Sequence, residues 1–199
     1  MPNPKNPLQK NLVIFASGSG TNAENIIKYF QDIQKVEISG IFSNNPSAGV
    51  LERAKKFQVK TYIFGREEFY NSEEILNNLV EIDPDLIVLA GFLWIFPQNI
   101  LHRFPNKVIN LHPALLPKFG GKGMYGMKVH QAVLDKKEAE TGISIHFVNE
   151  KYDDGEIIFQ KRIQVGENDT AEDIAGKIHQ LEYRYFPKVI EKLLFPEDV

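Results

Sequence analysis

Asn110 and His112 stand two residues apart in Val108-Ile109-Asn110-Leu111-His112-Pro113, where an apolar run gives out. An extended chain alternates its side chains, so a carboxamide and an imidazole at this spacing face the same way. The pair suits acyl transfer: the amide can donate to a developing oxyanion while the imidazole donates or shuttles a proton. A second candidate is Ser17-Gly18-Ser19-Gly20-Thr21-Asn22, which follows another apolar run and opens a helical pattern. Glycines let the backbone approach an anion there, and amides at a helix start point toward it. The third is the acidic turn Tyr152-Asp153-Asp154-Gly155-Glu156. A carboxylate on that turn could reach His112 and favour its charged form.

Each candidate has a plainer reading. Asn110 could tie down a loop, His112 could cap a strand, and the glycine and acidic segments are serviceable turns. The glycine turn lacks the marks of a dinucleotide site, because Ala23 takes the third glycine position and Ser43-Asn44-Asn45 stands where a ribose-binding acid is expected. It also lacks the Gly-Lys-Ser/Thr ending of a P-loop. A phosphate on a small substrate fits it better than NAD or ATP. No metal site is expected, since His102 and His130 fall outside compact ligand spacing. The absence of cysteine excludes disulfides and thiolate catalysis.

The elements that must position these residues alternate short apolar runs with longer amphipathic stretches. Strands are expected over 11–16, 36–43, 61–64, 86–90, 107–111, 142–148 and 157–165. Helices are expected over 22–31, 47–57, 67–80, 97–102, from about 127 to 135, and from a cap at Asp169-Thr170 to about Leu194. In the 67–80 helix, Ile75, Leu76, Leu79 and Val80 form the apolar side. The pattern describes an α/β protein: an open, twisted, mostly parallel sheet with helices on both faces, Rossmann-like in layout. Residues 1–10 read as a flexible tail and residues 11–199 as one domain.

Composition narrows the function. With 199 residues and 43% hydrophobic content the chain can bury a full core. A net charge of −3 with scattered basic residues argues against nucleic-acid or membrane-surface binding. The apolar run 86–96 has eleven residues, too short to span a bilayer. The polar opening shows no signal-peptide core, so a cytoplasmic protein is expected, with no obligate protein partner.

Taken together, the chain from Leu12 to about Leu194 resembles the phosphoribosylglycinamide formyltransferases, within the folate-dependent formyltransferase group. The matching stretches are the 17–22 turn, Val-Leu-Ala-Gly-Phe at 88–92, Asn-Leu-His-Pro-Ala-Leu-Leu-Pro at 110–117, Gly-Ile-Ser-Ile-His-Phe-Val at 142–148 and Tyr-Asp-Asp-Gly at 152–155. The resemblance implies formyl transfer from 10-formyltetrahydrofolate, a cosubstrate rather than a bound cofactor, to phosphoribosylglycinamide in purine biosynthesis. It implies that His112 is the proton donor, Asn110 the polarising amide that also meets the folate, and Asp153 the acid that raises the histidine's pKa. Gly20, Thr21 and Asn22 correspond to the ribotide phosphate site, and Glu182 to an acidic ribotide contact. Leu93, Trp94, Ile95 and Phe96 correspond to the folate pocket wall, with Arg66 near its entrance.

The bland alternatives are that Trp94 and Phe96 are core, Arg66 is solvated, and Glu182 pairs at the surface with Arg184 or Lys177. His146 reads as a structural residue or one supporting the site from behind. Two departures stand out: residues 119–127 form a longer loop than in many family members, and the acidic turn reads Asp-Asp-Gly where many relatives have Asp-Gly-Gly. Motif register selects Asp153 over Asp154. A 10-formyltetrahydrofolate hydrolase is the nearest rival, but such enzymes carry an N-terminal regulatory domain that a ten-residue tail does not supply. Methionyl-tRNA formyltransferase is disfavoured by the acidic balance and the lack of an RNA-binding extension.

Overall fold

The structure, a computed structural model, describes residues 9–197. Strand β1 (Lys10–Phe15) runs through the glycine turn into α1 (Thr21–Phe30), followed by β2 (Val36–Ser43), α2 (Gly49–Lys56) and the short β3 (Thr61–Ile63). Helices α3 (Arg66–Tyr70) and α4 (Glu74–Ile82) lead to β4 (Leu86–Leu89), and α5 (Gln98–Arg103) leads to β5 (Val108–His112). A long loop precedes α6 (Met127–Asp135). Strands β6 (Glu140–Phe147) and β7 (Ile157–Gln164) then pair, and α7 (Ala171–Leu194) follows.

The strands form one sheet in the order β3-β2-β1-β4-β5-β6-β7. The first five are parallel, and β6 and β7 add antiparallel pairs. This is the expected open, mostly parallel α/β sheet. Chain direction across the sheet reverses between β1 and β4, which opens a crevice at the carboxyl ends of those strands.

Both faces are covered, which is why β1 is continuously apolar from Leu12 to Phe15 rather than alternating. Leu12, Ile14 and Ala16 pack with residues of α1, α2, α6 and α7. Val13 and Phe15 point the other way, into a cluster with residues of α3, α4 and α5. Phe15 is fully buried there and stacks on Phe42 at 4.8 Å. Truncating it to alanine would cost about 3–5 kcal/mol.

The single helix expected over 67–80 is two. The Asn71 amide bonds back to the Glu67 carbonyl and ends α3, while the Ser72 hydroxyl donates to the Glu68 carbonyl and accepts from the Glu74 amide. Asn and Ser thus divert backbone groups that a continuous helix would use. The break also changes the phase, so Ile75 and Leu79 are buried but Val80 is 40% exposed. The expected tail over 1–10 lies outside the described residues up to residue 8, and Lys10 already belongs to β1. Of the expected cap Asp169-Thr170, Thr170 is the N-cap: its hydroxyl accepts from the Asp173 amide at 3.1 Å, and Asp173 answers by accepting from the Thr170 amide.

Candidate active site

A cavity of about 560 Å³ sits at the carboxyl ends of β1, β4 and β5. The turn after β1 forms one side. Gly20 has φ of 74°, and a Cβ there would lie 2.5 Å from Val50, so both conformation and space require glycine. The start of α2 clamps the turn through a bond from the Val50 amide to the Gly18 carbonyl at 3.1 Å. Arg53 adds a bond to the Ser19 carbonyl and an ion pair to Glu24 on α1. Gly20, Thr21 and Asn22 all line the cavity.

Asn22 donates through Nδ2 to Glu182 Oε2 at 2.8 Å, tying α1 to α7. Glu182 is 5% exposed, so the alternative of a surface pair with Arg184 or Lys177 does not hold; Lys177 pairs with Asp169 instead. Burial pushes the Glu182 carboxyl above the usual range, with the Asn22 donor and nearby His179 opposing it. Asn22 Oδ1 is buried without a hydrogen-bond partner.

The second side is a knot of four side chains. Asn110 lies opposite His146 in the antiparallel pairing of β5 with β6. Its Nδ2 donates to His146 Nε2 at 3.1 Å and to Asp153 Oδ1 at 3.3 Å. His146 Nδ1 meets the Phe147 carbonyl at 2.8 Å; a carbonyl only accepts, so that nitrogen carries the proton and Nε2 is the acceptor. His112 faces Asp153 Oδ2 through Nδ1 at 3.5 Å, and its Nε2 donates to the Phe119 carbonyl at 2.8 Å. The Gly121 amide donates to Asp153 Oδ2 at 2.9 Å, so the 119–127 loop grips both residues. Phe119 and Asp153 have φ of 57° and 53°, left-handed conformations that side chains seldom adopt. Gly155 makes the turn fit: a Cβ there would lie 1.7 Å from the Phe147 carbonyl oxygen.

Asp153 therefore faces the histidines. Asp154 is 55% exposed at its side chain and pairs with Lys151. Burial is the largest influence on His112 and pushes its pKa below the ordinary value; Asp153 and the Phe119 carbonyl push upward without offsetting it. The upward push is the one the acidic turn implies, but burial of the ring outweighs it. Burial is the largest influence on Asp153 and works to raise it, but the nearby His146 and His112 rings and the Gly121 amide together outweigh it and hold the carboxyl below its usual range.

Leu93, Trp94, Ile95 and Phe96 line the cavity beyond β4. Phe96 is only 3% exposed and meets Phe15 edge-on at 5.1 Å, so it is core and wall at once. Trp94 stacks on Tyr70 at 5.9 Å, and the Arg66 guanidinium lies 4.8 Å from the Trp94 ring centroid. Arg66 is behind this wall rather than in the lining. The Leu93 amide donates to Ser17 Oγ at 3.0 Å, coupling the two sides.

Three histidines and a carbonyl carry more of this site than the sequence assigned to them. His146 was legible in part, since strand alternation sets it opposite Ile143, Ile145 and Phe147. His179 lies one helical turn before Glu182, a spacing that puts both on one face. His130 and the Phe119 carbonyl had no comparable signal. Among the described residues, no group of three or more His, Cys, Asp or Glu is placed to hold a metal ion.

An Asn–His–Asp constellation at the carboxyl edge of an open parallel sheet, beside an anion-type turn, is an arrangement suited to acyl transfer on an α/β fold. The formyl transferase family matches residues 10–190, and the chain belongs to that family. A Bacillus subtilis protein named phosphoribosylglycinamide formyltransferase is 34% identical over 93% of this chain and 95% of its own length. An Arabidopsis thaliana protein of that name, described as chloroplastic, is 34% identical over 96% of this chain and 70% of its own. The crystal structure of phosphoribosylglycinamide formyltransferase from Bacillus halodurans superposes with a TM-score of 0.83 at 34% identity, covering 93% of this chain and 95% of that one.

Proposed function

We propose that the chain transfers the formyl group of 10-formyltetrahydrofolate to the amine of phosphoribosylglycinamide, a step of de novo purine biosynthesis. The observation that carries this reading is the Asp153 carboxylate bridging Asn110 and His112 within one cavity that also holds the Gly18–Asn22 turn. The ribotide phosphate sits on Gly20, Thr21 and Asn22, with Glu182 on its ribose side. The folate lies along Leu93, Trp94, Ile95 and Phe96 with its N10 end at Asn110, and Arg66 stiffens that wall through Trp94. Residues 11–199 act as one domain, in the cytoplasm, on these two small molecules.

The amine attacks the formyl carbon, whose carbonyl electrons move to oxygen as the tetrahedral intermediate forms. Both Asn110 amide hydrogens are committed, so the oxyanion must take one of them. The longer bond, to Asp153, is the easier to give up. The attacking nitrogen loses a proton while N10 gains one, and the C–N10 bond breaks to give the N-formyl ribotide and tetrahydrofolate. With its pKa held down, His112 is neutral near neutral pH and can relay that proton, once its Nε2–H leaves the Phe119 carbonyl. Neither a metal nor a covalent enzyme intermediate is required, because holding both substrates together supplies the proximity.

The test is tetrahydrofolate release from 10-formyltetrahydrofolate with and without the ribotide. Release that depends on the ribotide, with formyl ribotide as coproduct, is the expected result. Equal release without it would make water the acceptor and the chain a hydrolase.

A further inference from the structure

We propose that His130 recognises the ribotide, its imidazole hydrogen-bonding the glycinamide arm between the ribose and the reacting amine. The proposal rests on the ribotide reading above and adds a residue that reading did not use. His130 lies on α6, is 3% exposed and lines the same cavity. Its electrostatic neighbours are His179 and His112. His179 in turn is within electrostatic reach of Glu182, which is bonded to Asn22. His130 therefore shares one cavity with the ribose-side carboxylate and the catalytic imidazole, the two ends that the arm of a bound ribotide connects on that reading.

Its Nδ1 is buried and has no hydrogen-bond partner. Nearly all buried polar groups in proteins are paired, and leaving one unpaired costs about 1–3 kcal/mol. A phenylalanine or leucine would fill the same position without that cost. A polar ring kept there is accounted for if a ligand completes the bond. The arm offers matching groups, since its amide has one N–H donor and one carbonyl acceptor, and a neutral imidazole offers one of each. Burial, together with the charges of His179 and His112, pushes the His130 pKa down to about 4. The ring is therefore uncharged near neutral pH and does not repel the incoming amine.

The test compares His130→Phe and His130→Asn by KM for each substrate and by thermal melting. Phe keeps the ring and removes both nitrogens, whereas Asn keeps a polar atom where Nδ1 stands. Phe should raise the ribotide KM about tenfold, the scale of one lost hydrogen bond. It should leave the folate KM unchanged and the melting temperature unchanged or higher. Asn should recover most of the ribotide affinity. A ribotide KM within about twofold of wild type in the Phe variant, or equal losses in Phe and Asn, overturns the proposal. If the Phe variant does not fold, His130→Gln replaces it. Gln moves the polar group to the Nε2 position, so it should recover less than Asn, and equal values for the two overturn the assignment. Wild-type enzyme that makes no formyl ribotide overturns the functional reading itself, whereas an active wild type with an indifferent Phe variant overturns this inference alone.

Discussion

Two polar clusters share one cavity and are built on opposite principles. Around Asn110, His112, His146 and Asp153, the amide hydrogens, the carboxylate oxygens, both His146 nitrogens and His112 Nε2 have hydrogen-bond partners, His112 Nδ1 faces Asp153 at 3.5 Å, and a loop backbone closes the knot. Around Asn22, Glu182 and His130, two buried atoms, Asn22 Oδ1 and His130 Nδ1, have none. The first cluster is set before substrate arrives, as a centre must be if its dipoles are to stabilise a transition state without reorganising. The second leaves buried polar atoms unpaired, and on the proposed reading the ligand supplies the missing bonds, which is how a binding site draws affinity from groups that are costly alone. Substitutions in the first should act on turnover, and those in the second on binding.

The largest effect is expected at the centre. His112→Ala should lower turnover roughly a hundredfold or more, measured as steady-state tetrahydrofolate formation, with a folded protein by circular dichroism. Near-normal turnover would remove the distinction between the clusters. Next comes acid stability. Burial lowers the His130 pKa in the fold to about 4, against an ordinary value of 6.5. Between those values the unfolded chain binds more protons, so stability is present above about pH 6.5 and falls as pH drops toward 4. The loss should be roughly 3 kcal/mol in urea titrations, and His130→Phe should abolish that share. His112, also depressed, adds in the same direction.

Asn22→Ala should raise the ribotide KM about tenfold and leave the folate KM alone, since a contact kept from ground state to transition state affects binding uniformly. A selective rise in the folate KM would mean that the ligands are exchanged between the two sides. The smallest effect is expected for Asp154→Asn, whose side chain faces solvent: turnover should stay within about twofold of wild type, as surface changes usually allow.

Much of the centre was legible because it obeys short-range rules. Alternation aligned Asn110 with His112, and β2 has the limits its apolar run predicts. The α3–α4 break was not read, because local hydrogen bonds from Asn71 and Ser72 overrode a helical pattern that looked continuous. The burial of Glu182, which the resemblance had named as a ribotide contact, and the place of His130 were hidden for a different reason. Whether a polar residue on an amphipathic helix is solvated or buried depends on how α7 packs on α1 and α6, and spacing along one helix does not carry that. The Phe119 carbonyl is backbone, and its aim depends on a positive φ at a residue type that seldom takes one. The choice between Asp153 and Asp154 also lies in backbone conformation, because φ of 53° at Asp153 turns that carboxylate inward.

The central claim about the centre is that Asp153 holds up the protonation of His112 against burial. The direct measurement is the NMR titration of His112 in the wild-type enzyme and in Asp153→Asn, which removes the charge and nearly keeps the shape. His112 already titrates below the ordinary histidine value, and loss of the carboxylate should lower it further. Turnover should fall because the carboxylate that holds Asn110 and His112 in place has lost its charge, and the histidine-linked limb of kcat/KM should move to lower pH. A His112 titration that is unchanged in Asp153→Asn, or that moves upward, would contradict the account.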